Sequence, residues 1–325
     1  MITPSDMLHL SCTPDLIQGG IAYALRSLPY NFRHGGRSTY DRLRQVVSET
    51  AVEIAFRRYL SEQDISFDVK AALPFSGHDR YDVILGGRRC EIKSFLINDS
   101  EQISRVRREP GFLLKAPVLV ASDQHAAEGH SPRDLYLFAF LVGEVTTSRD
   151  GSHNRIEEKQ PHYLVHVMPE AWNRPAQWHP LGKLVLKSES EETQTIELGG
   201  RDEGGAMCSH TVELLPRRRL EIPSGLFSLS YVHTRSSSPA RIGIHSPVYR
   251  ETYIVEARDW GNLWVYSMDL LLAGYLTREE FRRRASFIPV GSRVFPYKQM
   301  QVKNLAVPVS DLRPLSELLE RAHLH

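Results

Sequence analysis

Two adjacent glycines, Gly86 and Gly87, separate the run 80–85 from the run 88–97, and nothing else in the 325 residues restricts folding so tightly. A two-residue connection of this kind closes an antiparallel hairpin, because glycine accepts the positive φ that such a turn demands. Counting back from the turn sets Leu85 against Arg88, Ile84 against Arg89, Val83 against Cys90 and Asp82 against Glu91. Side chains alternate along a strand. One face of the hairpin therefore carries Asp82, Ile84, Glu91, Lys93 and Phe95. The other carries Tyr81, Val83, Leu85, Cys90 and Ile92, an apolar set suited to a core.

The flanking sequence reads as a mixed α/β unit. Thr13, Pro14 and Asp15 open a helix over 16–28, weakened by Gly19 and Gly20. After a loop containing Gly35, Gly36 and Arg37, Ser38 or Thr39 caps a longer helix ending near Leu60. Its Leu43, Val46, Val47, Val52, Ala55, Phe56, Tyr59 and Leu60 keep the helical period. A strand over 65–69 precedes the hairpin. A basic helix over 100–108, closed by Pro110, and strands over 118–121 and 135–145 follow it.

The polar stretch 146–160 lacks periodicity and predicts a boundary between a domain over 1–150 and a second over 160–325. Beyond it, short strand signals at 184–186, 195–198, 212–214, 226–232, 241–244 and 253–255 predict a sandwich or barrel. A mainly helical tail is expected after it, with Thr277 capping 278–287 and Pro314 opening 315–323.

A formal net charge of +1 is too small for a protein that coats nucleic acid, so any such contact must come from local clusters. Cys12, Cys90 and Cys208 form no CxxC pair, which argues against structural zinc and against a disulfide framework, and for a reducing cytoplasm. No charged-then-apolar leader and no run of ~20 apolar residues is seen, so a soluble chain without a membrane partner is expected.

The chemistry sits on the polar face of the hairpin. Two carboxylates set directly opposite each other repel by up to about 1 kcal/mol. A hard divalent cation bound by both Asp82 and Glu91 removes that penalty, and Mg²⁺ is commonly held by one or two carboxylates with water and substrate oxygens. Lys93, two residues along on the same face, then stands beside the ion, where it can orient a water or stabilise charge developing on a phosphate.

Asp82, then Glu91-Ile92-Lys93 after a hairpin, behind a helix bearing Glu49 and Glu53, resembles the PD-(D/E)XK nuclease superfamily of restriction endonucleases, junction resolvases and repair nucleases. The resemblance spans roughly residues 38–145, in the order helix, three strands, helix, strand, with Tyr81 where the motif's name puts proline. It implies a restriction-endonuclease-like core, a mixed sheet flanked by helices, followed by the β-rich domain for recognition or interaction. It further implies that Asp82 and Glu91 bind Mg²⁺ or Mn²⁺, that the Ile92 carbonyl assists, and that Lys93 serves the attacking water. One helix carboxylate joins them: Glu49, whose stripe runs through Val52, Phe56 and Tyr59, or Glu53 one turn on. The products would be 5′-phosphate and 3′-hydroxyl ends, the substrate DNA, and the setting restriction or antiviral defence, with a second copy or a defence-system protein as partner. A non-catalytic adaptor on the same scaffold is the alternative, for which Lys93 has no evident use.

Several weaker features complete the reading. Arg89 on the hairpin, with Arg105, Arg107 and Arg108 on the following helix, is a candidate phosphate contact. The arginine runs 217–219 and 282–284 lie near acids that can pair with them. Gln124, His125, Glu128 and His130 form a polar loop near the site. His162 and His166 lack a third zinc ligand. The segment 199–205 reads as a mobile connection, and Trp260 and Trp264 read as core.

Overall fold

The computed structural model describes residues 2–31, 38–69, 83–127, 129–146, 159–236, 240–297 and 299–323. Asp82, Tyr81, the 35–37 loop, Glu128 and most of the expected boundary stretch lie outside them. In chain order the first elements are β1 (Leu8–Ser11), α1 (Pro14–Asn31), α2 (Thr39–Glu62), β2 (Phe67–Asp68), β3 (Val83–Leu85) and β4 (Arg88–Ile97). Then come α3 (Ser100–Arg108), β5 (Pro117–Ala121), the short helix α4 (Ser122–Ala126) and β6 (Leu135–Val145).

A second group of elements is almost entirely strand: β7 (Leu164–Val167), α5 (Glu170–Asn173), β8 (Lys183–Ser188), β9 (Gln194–Arg201), β10 (Met207–Leu214), β11 (Arg219–Pro223), β12 (Ser228–Thr234), β13 (Ile242–His245), β14 (Tyr253–Val255) and β15 (Gly261–Asn262). The chain ends with β16 (Val265–Thr277), α6 (Arg278–Arg284), β17 (Ser286–Ile288), β18 (Asn304–Pro308) and α7 (Leu315–His323).

The central sheet has the order β1-β16-β6-β4-β3-β2. It is mixed: β4 runs parallel to β6, whereas β2, β3 and β4 pair antiparallel, as do β1, β16 and β6. The hairpin forms in the register counted from the turn, Val83 with Cys90 and Leu85 with Arg88, and Gly86 and Gly87 take φ of +54° and +70°.

Alternation then sorts the side chains. Val83, Leu85, Cys90, Leu135, Leu137 and Leu272 join one core with α1, α2 and α7. Tyr136, Phe138, Phe140, Ile97 and Leu271 join another, roofed by α3, α6, β5 and β18. β6 is therefore buried on both faces, which explains its unbroken apolar run.

Beyond β6, a five-stranded sheet (β10-β9-β12-β7-β15) and a four-stranded sheet (β11-β8-β13-β14) share a core of Leu184, Leu186, Ile196, Leu198, Leu229, Val232, Ile242 and Ile244. The outer side of the five-stranded sheet meets the helical layer through Val165 and Tyr231, and Tyr40 Oη donates to the Asp259 carbonyl at 2.8 Å.

Several expectations differ from this architecture. The division into 1–150 and 160–325 does not follow the sheets, because β16 lies in the middle of the first one, between β1 and β6. The β-rich unit is an insertion between two neighbouring strands, so its tail folds back into the first unit. Residues 199–201 are not a connection but the end of β9. A Cβ on Gly200 would overlap the Ser228 carbonyl and one on Gly199 the Tyr231 ring, so these glycines permit close packing. The tail helix stops at Arg284, and Phe287 belongs to β17. Among the described residues no helix is long and apolar enough to cross a membrane.

Candidate functional site

Glu91 and Lys93 lie on β4 at the levels of Tyr136 and Phe138 of β6, and the period of two turns both toward the α6 side of the sheet. Their side chains are 25% and 15% exposed and form an ion pair, Lys93 Nζ to Glu91 Oε1. An ammonium this buried would be costly without a partner. Lys93 Nζ also donates to Gln124 Oε1 at 2.9 Å, which fastens β4 to α4.

A residue absent from the sequence-based expectation completes the cluster. Arg278, at the start of α6, is 6% exposed, and its Nη1 stands 3.8 Å from Glu91 Oε2. Its Nη2 donates to the His125 carbonyl at 2.5 Å and the Gln124 carbonyl at 3.4 Å. The guanidinium lies 5.0 Å from the centroid of the Tyr136 ring, and the Arg278 amide donates to the Asp134 carbonyl at 2.8 Å. Helix α6 is placed by a capping box between Thr277 and Glu280, and Glu280 is held in turn by Arg313 at 2.7 Å. Among the described residues Nη1 has no hydrogen-bond partner, so this side chain retains donor capacity toward Glu91.

Next to the cluster, His125 Nδ1 and Tyr136 Oη are 3.2 Å apart. Burial lowers the imidazole pKa, and Arg278 and Arg282 push it the same way while Glu91 opposes them. Burial raises the phenol pKa, against Arg278 and with Glu91. Both shifts favour a neutral pair: a protonated Tyr136 that can donate and an uncharged His125 that can accept.

The remaining expected residues fall elsewhere. Glu49 accepts from Gln45 Nε2 at 2.7 Å, and Glu53 is paired with Arg57, both along α2. The buried stripe of α2 packs with Cys90, Leu135 and Leu137, on the face of the sheet opposite Glu91. The structure therefore does not bring either glutamate together with Glu91 and Lys93.

Arg107 is bound to Asp269 at 2.7 Å and to the Ser267 carbonyl. Asp269 pairs with Val142, six strand residues beyond Tyr136, which is roughly 20 Å from the level of Glu91. Arg105 covers the Phe112 ring at 3.5 Å, and Arg108 is exposed at the end of α3. Arg89 is on the Glu91 face, and its Nη1 donates to the Gly129 carbonyl at 2.8 Å. Ile92 turns its side chain to the α2 core, as expected of its parity.

As a metal seat, the cluster offers hard oxygens: the Glu91 carboxylate and the Gln124 amide oxygen. Among the described residues no three His, Cys, Asp or Glu side chains gather to hold an ion. One carboxylate meets the lower end of what Mg²⁺ takes from a protein, and Asp82, the expected second, lies outside the described residues. The Glu91 and Gln124 oxygens are both of the hard type that Mg²⁺ takes, and each accepts from Lys93 Nζ. Comparison with protein-family models, curated proteins and solved structures found no match to this chain.

Proposed function

We propose that this chain is a Mg²⁺- or Mn²⁺-dependent phosphodiester hydrolase with a restriction-endonuclease-like core, acting on DNA, with restriction or antiviral defence as its setting. The observation that carries the reading is the meeting of Glu91, Lys93 and Gln124 on one face of the sheet, beneath a buried arginine. The order α2, β2, β3, β4 and α3, then β6 in the same sheet after β5 and α4, supports it as close to the order the resemblance implies.

Glu91 and Asp82 would hold the ion, aided by the Ile92 carbonyl. When bound, it supplies Lewis-acid stabilisation of the phosphate oxygens. Lys93 orients the attacking water and donates to charge forming on the phosphate. Arg278 fixes the Glu91 carboxylate against α4 and acts through it as a positioning residue. Attack in line would leave 5′-phosphate and 3′-hydroxyl ends.

The test is incubation of supercoiled plasmid with Mg²⁺, with and without EDTA, for wild type, Lys93→Ala and Glu91→Gln. Metal-dependent nicking or linearisation is expected, reduced at least about 100-fold in either variant, the usual scale for removing one such group. Lys93 alone neutralises the Glu91 charge without an ion, with Arg278 nearby in addition, and that neutralisation favours a second reading, a non-catalytic adaptor acting through the β-rich unit. Wild type that leaves plasmid intact, or variants that cut as wild type does, would overturn the hydrolase reading in favour of the adaptor.

A further inference from the structure

We propose that the cleft between the hairpin turn and the segment 129–134 seats the sugar–phosphate backbone of a nucleic-acid strand on its way to Glu91 and Lys93, an inference that takes its ligand class from the hydrolase reading. The cleft has a volume of about 700 Å³ and is lined by Arg88, Arg89, His130 and Arg133 together with the glycines of the turn. Ligand clefts commonly enclose about 300–1,000 Å³, so this one has room for a short stretch of a strand.

Its position links it to the candidate site. Cys90 pairs with Leu135 in parallel register, so Arg89 is level with Asp134, and Arg89 shares a face with Glu91 two residues away, about 7 Å along the strand. A chain with one phosphate at Glu91 carries its neighbouring phosphates past Arg89. The wall at Gly86 and Gly87 is open backbone, since a Cβ at either would meet nothing within 4 Å.

Charge supports the same ligand. The chain as a whole is nearly neutral, so phosphate binding needs a local excess. Among the described residues, three arginines and a histidine line the concavity against one acid, Asp134, whose Oδ2 already accepts the Ser131 amide at 2.7 Å and lies 3.8 Å from His130 Nδ1. In the other arginine runs, Arg217 pairs with Glu191, Arg283 with Glu279, and Arg284 donates to the Asp311 carbonyl. Arg133 is exposed at a turn held by its own backbone amide on Ser131 Oγ at 3.2 Å, so its side chain can change without disturbing a core.

The experiment measures binding apart from cleavage. Fluorescence anisotropy with labelled single-stranded DNA, single-stranded RNA and duplex DNA of equal length is run in EDTA over a series of salt concentrations. The proteins are wild type, the double variant Arg88→Ala/Arg133→Ala, the single Arg133→Glu, and Arg219→Ala on β11 as a control, all matched for melting temperature. Loss of two phosphate contacts should weaken binding about tenfold or more on every sequence and lower the salt slope by roughly two, with the control unchanged. The arm with the largest loss identifies the strand type.

Unchanged affinity and slope in both cleft variants, alongside metal-dependent plasmid cutting by wild type, would overturn the cleft proposal alone. The expected loss without any plasmid cutting would keep the cleft as a nucleic-acid seat and remove the hydrolase reading. No binding of any of the three probes by wild type would also overturn the cleft.

Discussion

His233 of β12 lies flat on the Tyr163 ring, with centroids 3.5 Å apart, and its Nδ1–H donates to the Leu164 carbonyl at 2.9 Å. It is 4% exposed, and burial pulls its pKa down from 6.5 to about 4, only partly opposed by that hydrogen bond. A histidine kept neutral by the fold takes up its proton first in the unfolded chain. Its contribution is therefore complete above pH 6.5 and is lost as pH falls from there to about 4, a change of about 3 kcal/mol. Melting temperatures of wild type and His233→Gln from pH 7.5 to 4 should show a steeper acid decline in wild type. Parallel curves would refute the assignment. At this scale the sequence told less than the structure. Glu91 and Lys93 were legible because the period of a strand is local, whereas Arg278 was not. It stands 185 residues beyond Lys93, among arginines that composition alone reads as solvated, and only the return of the chain buries it beside Glu91.

Helix α1 crosses α2 at two glycines whose surroundings differ. A Cβ on Gly19 would meet the terminal methyl of Ile54 at 3.0 Å, a flexible side-chain end that can move aside. A Cβ on Gly20 would fall on the Val47 carbonyl oxygen, which is fixed in the α2 backbone. Alanine in a helix gains about 1 kcal/mol over glycine, so Gly19→Ala should be neutral or stabilising in urea unfolding. Gly20→Ala should destabilise by about 1–2 kcal/mol as the helices are forced apart. Equal stabilities for the two variants would mean that the helices do not cross here as described. These glycines also explain why the sequence undervalued α1: glycine weakens a helix on propensity, but here it permits the close crossing that makes the helix stable. The elements with clear local signals were legible, namely the hairpin, α2, α3 and β6. β16 was missed because its stretch 270–276 is apolar on both faces and carries no alternation to mark it as a strand.

The largest consequence of that omission is at the level of the molecule. Without β16 the chain divides at its polar stretch into two consecutive domains; with it, the β-rich unit is inserted between β6 and a neighbour to which β6 is directly paired. Val145 and Val265 face each other at the open end of that pair, so a two-residue turn can close it. A protein in which Asn-Gly joins Val145 to Val265, omitting all between, should keep the six-stranded sheet and unfold cooperatively. Its melting temperature should be lower, because α1 and α2 lose their contacts with Val165, Tyr231, Leu263 and Trp264. A fragment ending at residue 150 should not unfold cooperatively, since β1 loses its only sheet neighbour among the described strands and β6 is left with an open edge. Circular dichroism melts of the two proteins decide the matter. No transition in the joined chain would show that the six-stranded sheet needs the inserted unit to fold, whereas a sharp transition in the short fragment would show that the first unit is complete without β16. In that case the buried Arg278, delivered to Glu91 by the strand immediately before it, would be an accessory of the site and no part of its frame.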